Sequence, residues 1–391
     1  MTTMHPRIAQ MQAALAADGL AALICRLPEH LVMLAGYWPV IGRSALVIPA
    51  DGAPILLAPA MEQDPLRRAF VQDIRTFPVW KLGDPAPDES LARLLGDVAV
   101  QRRLKGRRVG AELTGDEELG PTQKVTEPWR PAAAAAMLTQ LGCELVDAAP
   151  LLRRLRARKT REDLSRLRIA NEIAAFGIQA FYEALAEGRT EAEVAAEIER
   201  AVHARGTGYH GTIHARAEAL IFSGRERLHG LGWGYAPSTA RRLERGDLVM
   251  LELSTVADGY YSDLTRMGAV GPLSAKQEEL LAAVAAAQRA AIAAVRPGVT
   301  GDAVDRAARE TLRAEGLDAF FIHITGHGLG FRYHEAVPLL YPGSQDVLEE
   351  GMVTSIEPGI YDAGFGGIRI EDNIAVTASG AEVLSGTGTS P

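Results

Sequence analysis

The chain has 391 residues, of which 47% are hydrophobic and 23% are charged, as in an ordinary soluble globular protein. Its 41 Lys and Arg residues against 49 Asp and Glu residues leave a net charge of −8, which argues against a nucleic-acid-binding protein. This length predicts two or three domains. No unbroken apolar run reaches the roughly 18 residues of a membrane span, so no membrane partner is expected.

The first 150 residues predict a domain of mixed helices and strands. The opening stretch MTTMHPRIAQMQAALAADGL is typical of an amphipathic helix ending at Gly19 rather than of a signal peptide. The runs AALIC, SALVIPADG, APILLAP and VGAEL predict strands, and a helical segment includes Ala132–Ala136. Cys25 and Cys143 stand alone in apolar stretches, so no disulfide framework is expected and the sequence favours a cytoplasmic protein.

From Thr160 onward the sequence predicts four helices. Their starts carry capping residues: Thr160 with Asp163, Thr190 with Glu193, and Ser274 with Gln277. The expected helices cover residues 160–188, 190–206, 274–297 and 300–316.

An internal repeat relates two parts of this region. The pattern Gly-x-Thr, then Val four residues later, then a closing Gly occurs at 188–206 and again at 298–316. Each copy is followed by His-Gly-Leu-Gly and an aromatic residue, at His229–Trp233 and His327–Phe331, and then by a glycine six residues before Glu252 or Glu357. Residues 160–380 are therefore interpreted as two related halves, each contributing a helix pair and a strand hairpin to one site.

Polar residues in apolar, strand-like runs indicate the chemistry. A carboxylate on a buried strand costs several kcal/mol unless it is paired or binds a metal ion. The segment HITGHGLGFRYHE adds three histidines, without the HExxH spacing of a zinc protease. One histidine with four carboxylates suits one or two divalent ions such as Mn²⁺, Co²⁺, Zn²⁺ or Fe²⁺. The carboxylates concerned are Glu252, Asp263, Glu357 and Glu371.

These motifs resemble the pita-bread-fold metallopeptidase family that includes aminopeptidase P, prolidase, methionine aminopeptidase and creatinase. The resemblance covers nearly the whole chain, because RLPEHLVMLAGY is similar to the creatinase-type N-terminal domain and ARKTREDLSRLRIANEI to the start of the catalytic domain. It implies an α/β (α+β) fold. The expected domains are a creatinase-like N-terminal domain over 1–155 and a pseudo-twofold pita-bread catalytic domain over 156–391.

The resemblance also implies a ligand set. Asp263 and Glu371 match the family's bridging carboxylates, and His327 and Glu357 match the other ligands of the first metal. Glu357 additionally matches the acid/base that moves the proton of the attacking water.

Five further residues match supporting positions of the family. His334 matches the histidine that stabilises the tetrahedral intermediate or leaving group, and His323 matches a histidine on the substrate side. His229 matches the histidine that follows the family's Ser-Gly. Tyr361 and Arg369 match groups that hold the ligands in place.

Glu252 departs from the family pattern, which has Asp eleven residues before the second carboxylate ligand. The spacing from Glu252 to Gly259 and Asp263 is intact. Glu is longer by one methylene, about 1.5 Å. Either the second metal site tolerates this change, or it binds its ion more weakly and the substrate class shifts.

The resemblance implies metal-dependent hydrolysis of an Xaa-Pro or related peptide bond near a free N-terminus, by an aminopeptidase or dipeptidase that uses a metal-activated water. The alternatives are a creatinase-like or ectoine-hydrolase-like C–N hydrolase or a lyase acting on a non-peptide small molecule, and a non-catalytic binding homologue. The retained ligands argue against the metal-free mechanism of creatinase. The resemblance further implies a homodimer and manganese among the candidate metals.

Overall fold

The computed structural model describes residues 5–80, 82–114, 136–231 and 236–386. The chain divides into two compact units, Met1–Arg156 and Ala157–Pro391, one residue beyond the division expected from the sequence. The expected helical segment at 132–135 and Trp233 lie outside the described residues. Within the described ranges, no helix is both long enough and apolar enough to cross a bilayer.

The first unit is built on one six-stranded mixed sheet with the order β4–β3–β2–β1–β5–β6. Strand β1 runs antiparallel to β2 and parallel to β5. The strands are β1 (Ala22–Cys25), β2 (Ala45–Pro49), β3 (Ile55–Pro59), β4 (Asp73–Phe77), β5 (Arg108–Ala111) and β6 (Glu144–Asp147). The helices are α1 (Pro6–Ala17), α2 (Pro28–Ala35), α3 (Gln63–Leu66), α4 (Pro87–Gln101) and α5 (Ala149–Ala157).

The segment RLPEHLVMLAGY forms α2 and the loops on either side of it. Pro28 starts the helix, and Gly36 ends it in the left-handed conformation (φ 69°). The buried carboxylate of Glu112 accepts the backbone N–H of Leu27 at 3.1 Å and lies 2.5 Å from Nδ1 of His30. Glu112 thus satisfies polar groups at the start of α2 from the end of β5.

The first half of the second unit is a helix pair packed on a three-stranded antiparallel sheet, β7–β8–β9. The capping boxes expected at Thr160 and Thr190 both form. The helices are α6 (Arg161–Ala184), α7 (Glu191–Gly206) and α8 (Gly224–Leu231), and the strands are β7 (Ala215–Ser223), β8 (Leu248–Ala257) and β9 (Tyr260–Ala269).

The second half contains another helix pair, a five-stranded sheet with the order β11–β10–β12–β15–β16, and the hairpin β13–β14. Ser274 forms the expected capping box with Gln277 at the start of the first helix. The helices are α9 (Ala275–Ala294) and α10 (Gly301–Ala314). The strands are β10 (Gly326–Gly328), β11 (Glu335–Leu340), β12 (Val353–Ile356), β13 (Gly359–Asp362), β14 (Gly366–Arg369), β15 (Asp372–Val376) and β16 (Ala381–Val383).

Matching backbone hydrogen bonds relate the two halves. Gly188 N–H donates to Leu243 at 2.8 Å, and Gly298 N–H donates to Leu348 at 2.8 Å. Gly246, two residues before β8, donates its N–H to Val270 directly after β9 at 2.8 Å. Gly351, two residues before β12, likewise donates to Val376 at the end of β15 at 2.9 Å. Gly188 and Gly298 are 110 residues apart, whereas Gly246 and Gly351 are 105 residues apart. The two halves therefore share these backbone contacts but differ in the length of the segments that connect them.

One part of the expected repeat is wrong. His229 and the glycine after it lie in helix α8, whereas His327 and Gly328 lie in strand β10. The His-Gly pairs that begin the two His-Gly-Leu-Gly motifs therefore have unrelated conformations. The four-residue match arose in sequence alone, because histidine, glycine and leucine are tolerated in both settings when the surrounding contacts decide the structure.

Candidate active site

Two strand pairs, one from each half, bring four carboxylates together. Glu252 in β8 lies opposite Thr265 in β9, and Asp263 precedes Thr265 by two residues on the same face. Glu357 follows β12 directly and Glu371 precedes β15 directly, where Ile356 pairs with Asp372.

The clustered ligand atoms fall into overlapping groups, within each of which all lie within 4.8 Å of one another. We call His327, Glu357 and Glu371 the histidine-side group, and Glu252, Asp263 and Glu371 the glutamate-side group. A third set joins Asp263, His327 and His334. The structure therefore brings together all five ligands inferred from the resemblance, Glu252 included, with His334 beside them.

The side chain of His327 enters the cluster from strand β10, whose backbone lies very close to its neighbours β11 and β12. A Cβ atom at Gly326 would lie 2.0 Å from the carbonyl oxygen of Ser355, and one at Gly328 would lie 2.2 Å from that of Val337. Only glycine permits this approach of the backbones. Nδ1 of His327 lies 2.9 Å from the carbonyl oxygen of Gly328, to which it donates, so that the Nε2 lone pair faces the carboxylates.

The distances around Nε2 of His327 leave room for a shared cation. Nε2 lies 3.3 Å from Oε1 of Glu357 and 3.5 Å from Oδ2 of Asp263. The His334 ring packs edge-on against the His327 ring at 4.0 Å between centroids, and its Nε2 lies 3.7 Å from Oδ2 of Asp263.

Arg369 organises the opposite side of the cluster. Its guanidinium donates to Oε2 of Glu252 at 2.6 Å, to the Tyr361 hydroxyl at 2.8 Å and to Oγ1 of Thr265 at 2.9 Å. The Tyr361 hydroxyl in turn lies 3.1 Å from Nε2 of His323. Burial and the nearby Arg369 charge lower the pKa of His323 to about 3, so His323 is a neutral hydrogen-bonding partner at neutral pH.

Two of the clustered carboxylates, Glu371 and Glu357, have a raised pKa. Burial, together with the charges of Asp263, Glu357 and Glu252, raises the pKa of Glu371 well above its ordinary value. Burial also raises the pKa of Glu357, against the opposing effects of His327 and Arg369. A carboxyl group with a raised pKa is suited to taking up and returning a proton.

The donor set fits a divalent metal ion. Within the described part of the chain, Oε1 of Glu371 is buried and has no hydrogen-bond partner. This oxygen belongs to the one residue shared by the histidine-side and glutamate-side groups. Carboxylate oxygens and one imidazole nitrogen are ligands that such ions prefer. A bound cation would give Oε1 of Glu371 an electrostatic partner.

Four residues assigned from the resemblance lie outside these groups: Tyr361 and Arg369, described above, and two histidines. His229 is exposed on α8, and His323 contacts Tyr361 rather than a carboxylate. Conversely, sequence reasoning did not select Thr265, Tyr333 or Ser355, which all contact the ligands. A signal existed for Thr265 alone, since it follows Asp263 by two residues and must share its face of the strand.

The chain is similar to known metallopeptidases in sequence and in fold. The chain matches "Metallopeptidase family M24" over residues 165–378 and "Creatinase/Prolidase N-terminal domain" over residues 7–158. A Xaa-Pro dipeptidase of Pyrococcus furiosus is 37% identical over 61% of this chain and 65% of that protein. A probable dipeptidase PepE of Mycobacterium tuberculosis H37Rv is 34% identical over 96% of this chain and 92% of that protein. The crystal structure of a prolidase from Pyrococcus horikoshii OT3 superposes with a TM-score of 0.77 at 26% identity, covering 98% of this chain and 99% of that one.

The fold and the carboxylate–histidine cluster define a metallopeptidase with a creatinase-type N-terminal domain. The chain belongs to metallopeptidase family M24, which confirms the resemblance and the fold class inferred from the sequence.

Proposed function

We propose that this protein hydrolyses Xaa-Pro peptide bonds in short peptides, as a dipeptidase of the prolidase type. The observation that supports this most directly is the clustering of five ligands from both halves of the second unit, at the positions expected in the family. The names of the relatives at 34–37% identity support the Xaa-Pro and dipeptide preference.

In this proposal the metal ligands, Glu357 and His334 have separate roles in hydrolysis. A divalent ion held by the cluster would supply a Lewis acid for the scissile carbonyl and the attacking water. Glu357 takes the proton of the water and passes it to the leaving amine, a task that its raised pKa suits. His334 donates a hydrogen bond to the oxygen that gains negative charge, from its place beside Asp263.

A peptide panel tests the reaction. The protein is stripped of metal, reloaded with Mn²⁺ and given Xaa-Pro dipeptides, Xaa-Pro-Yaa tripeptides and matched Xaa-Ala peptides. We expect metal-dependent cleavage of Xaa-Pro dipeptides above the other two classes. Cleavage of no peptide by protein with stoichiometric metal would refute the peptidase proposal and favour a small-molecule C–N hydrolase.

A ligand variant tests the assignment of the metal centre. His327→Ala removes the imidazole nitrogen nearest to Glu357 and Asp263. We expect this variant to lose the tightly bound ion in elemental analysis and to lose activity. Unchanged metal content would contradict the role of His327.

Three finer statements belong to the same proposal. We propose manganese among the candidate metals because the site is rich in oxygen ligands. The described cysteines are both free, which fits a reducing compartment such as the cytoplasm. A homodimer is consistent with the large apolar side chains exposed in the first unit, and light scattering measures it directly. These side chains are Val40, Met61, Trp80, Leu82 and Val100.

A further inference from the structure

Tyr333 places a hydroxyl group inside the carboxylate cluster. It lies in the loop between β10 and β11, and its side chain is buried. The hydroxyl donates to Oε1 of Glu252 and lies 2.7 Å from Oδ1 of Asp263. Since a phenol carries one proton, it can donate to only one of these carboxylates at a time.

The loop holds Tyr333 in this position. Glu335 accepts the backbone N–H of Phe331 at 2.9 Å and the Lys159 ammonium at 2.8 Å, and the Lys159–Glu335 pair is buried. The ring of Tyr333 stacks on His334 at 4.6 Å with 24° between the planes. A buried ring stacked on a neighbouring side chain cannot withdraw its hydroxyl from the cluster without repacking.

The contacts of Tyr333 fall on the glutamate-side group. Oε1 of Glu252 accepts from Tyr333, while Oε2 accepts from Arg369. Both oxygens of Glu252 are thus engaged by hydrogen-bond donors of the protein. The extra methylene of glutamate, relative to aspartate, extends this carboxylate from β8 toward the phenol.

The atom of Asp263 that Tyr333 contacts is not the one that faces His327 of the histidine-side group. Tyr333 touches Asp263 through Oδ1, whereas Oδ2 is the atom that faces Nε2 of His327 at 3.5 Å. Glu357 faces His327 and accepts a hydrogen bond from Ser355 at 3.0 Å. Tyr333 therefore distinguishes the two groups, although they share Glu371.

We propose that Tyr333 is a positioning residue that holds Glu252 with its hydroxyl and so competes with a cation for the glutamate-side group. As a consequence the chain binds one ion tightly at the histidine-side group and a second ion more weakly. Tyr333 and Glu252 act as a pair. Tyr333 supplies the hydrogen-bond donor, and the longer side chain of Glu252 brings its carboxylate to that donor. This inference rests on the metal-binding role of the cluster in the proposed function, but not on the Xaa-Pro preference.

Metal titration of Tyr333→Phe tests the proposal. The metal-free protein is titrated with Mn²⁺ by calorimetry, and bound Mn²⁺ is counted after equilibrium dialysis. We expect the wild type to bind one ion tightly and a second at higher concentration. In Tyr333→Phe the dissociation constant of the second ion should fall about tenfold, because a charge-assisted hydrogen bond no longer competes.

The chain offers a matched control in Tyr260→Phe. The Tyr260 hydroxyl is also buried and donates to a carboxylate, Asp163 at 3.2 Å, which is not among the clustered ligands. This variant should leave both dissociation constants unchanged. If it shifts the second constant as much as Tyr333→Phe does, the proposal fails.

A second variant keeps the test decisive if Tyr333→Phe does not fold. Glu252→Asp withdraws the carboxylate from the phenol and should also tighten binding of the second ion. The two substitutions should be strongly non-additive, because both remove the same contact.

Several results would overturn the proposal. Weaker second-ion binding in Tyr333→Phe would make the hydroxyl a metal ligand rather than a competitor. An unchanged second constant in both variants, or two equally tight ions in the wild type, would also refute it. Failure to cleave Xaa-Pro peptides would refute the proposed function and leave these binding results intact.

Discussion

Thr265 illustrates how much of the site depends on a single uncharged residue. Its hydroxyl lies 2.8 Å from Oε2 of Glu252 and 2.9 Å from Oε2 of Glu371, and it accepts a hydrogen bond from Nε of Arg369. The residue is fully buried in β9. It therefore links carboxylates from both halves of the second unit to the arginine that orients them.

Replacing Thr265 by valine removes this link while keeping the shape of the side chain. We expect Thr265→Val to lower the free energy of unfolding by about 1–3 kcal/mol, because buried polar groups lose a partner. Chemical denaturation measures this loss of stability.

The control is Thr255→Val in the neighbouring strand β8. Thr255 is fully buried too, but its hydroxyl has no hydrogen-bond partner among the described residues. This substitution should be neutral or slightly stabilising. Equal losses in both variants would show that the contacts of Thr265 contribute nothing specific.

The carboxylates could be selected from the sequence because burying a charge in an apolar strand costs free energy. Glu252, Asp263 and Glu371 were recognisable for this reason. Tyr333 could not, since a tyrosine before a histidine is unremarkable until its hydroxyl is seen among the carboxylates. The direction of a side chain from a loop depends on tertiary contacts, such as the buried Lys159–Glu335 pair, that residue spacing does not encode.

Among the elements, the short strand β10 carries the strictest steric requirement. It presents His327 while lying between β11 and β12. The close approach at Gly328 leaves no space for a methyl group, since the obstructing atom is the backbone carbonyl oxygen of Val337.

We expect Gly328→Ala to destabilise the protein by about 1–3 kcal/mol through overpacking. Because the backbone must shift next to His327, bound metal should decrease in the same variant. Thermal unfolding and elemental analysis provide the measurements.

Gly380→Ala serves as the comparison, because Gly380 follows β15 in the same sheet and nothing lies within 4 Å of its added Cβ. This variant should change stability by no more than about 0.5 kcal/mol. A Gly328→Ala protein as stable and as metal-loaded as Gly380→Ala would contradict the steric account.

The helices of the second unit were predictable, whereas the sheet was not. Capping residues are local signals, and helices do begin at Thr160, Thr190 and Ser274. Strand order depends on contacts far apart in sequence, so neither the five-stranded sheet nor the separate hairpin β13–β14 was foreseen. The His-Gly-Leu-Gly match failed for the same reason, because four residues fix no conformation by themselves.

For the whole molecule, the buried carboxylates couple stability to both pH and metal. The raised pKa of Glu371, caused by burial and by neighbouring carboxylates, means that the metal-free fold binds a proton there more tightly than the unfolded chain does. The associated stability is fully present below the unfolded pKa of about 4.3 and is lost as the pH rises through the folded pKa.

Glu371→Gln should therefore change the pH dependence of the metal-free protein. We expect the variant to gain stability relative to the wild type as the pH rises from about 4 toward neutrality, by up to about 1.4 kcal/mol per pH unit while the group titrates. Denaturation of both metal-free proteins across this range measures the difference.

Adding Mn²⁺ at neutral pH should reverse the order, because the wild type binds the ion and the variant lacks a shared ligand. Glu279→Gln, in which a side chain 66% exposed on α9 is changed, is the surface control. A Glu371→Gln difference that does not vary with pH would contradict the shifted pKa.

The division of the ligands between two similar halves has a consequence for the newly synthesised chain. The β8–β9 hairpin alone supplies Glu252 and Asp263, while His327, Glu357 and Glu371 come from residues more than sixty positions later. A nascent or truncated chain holding the first half alone thus possesses no imidazole ligand from β10. The complete ligand set, and with it the peptidase site, forms only when both halves have docked.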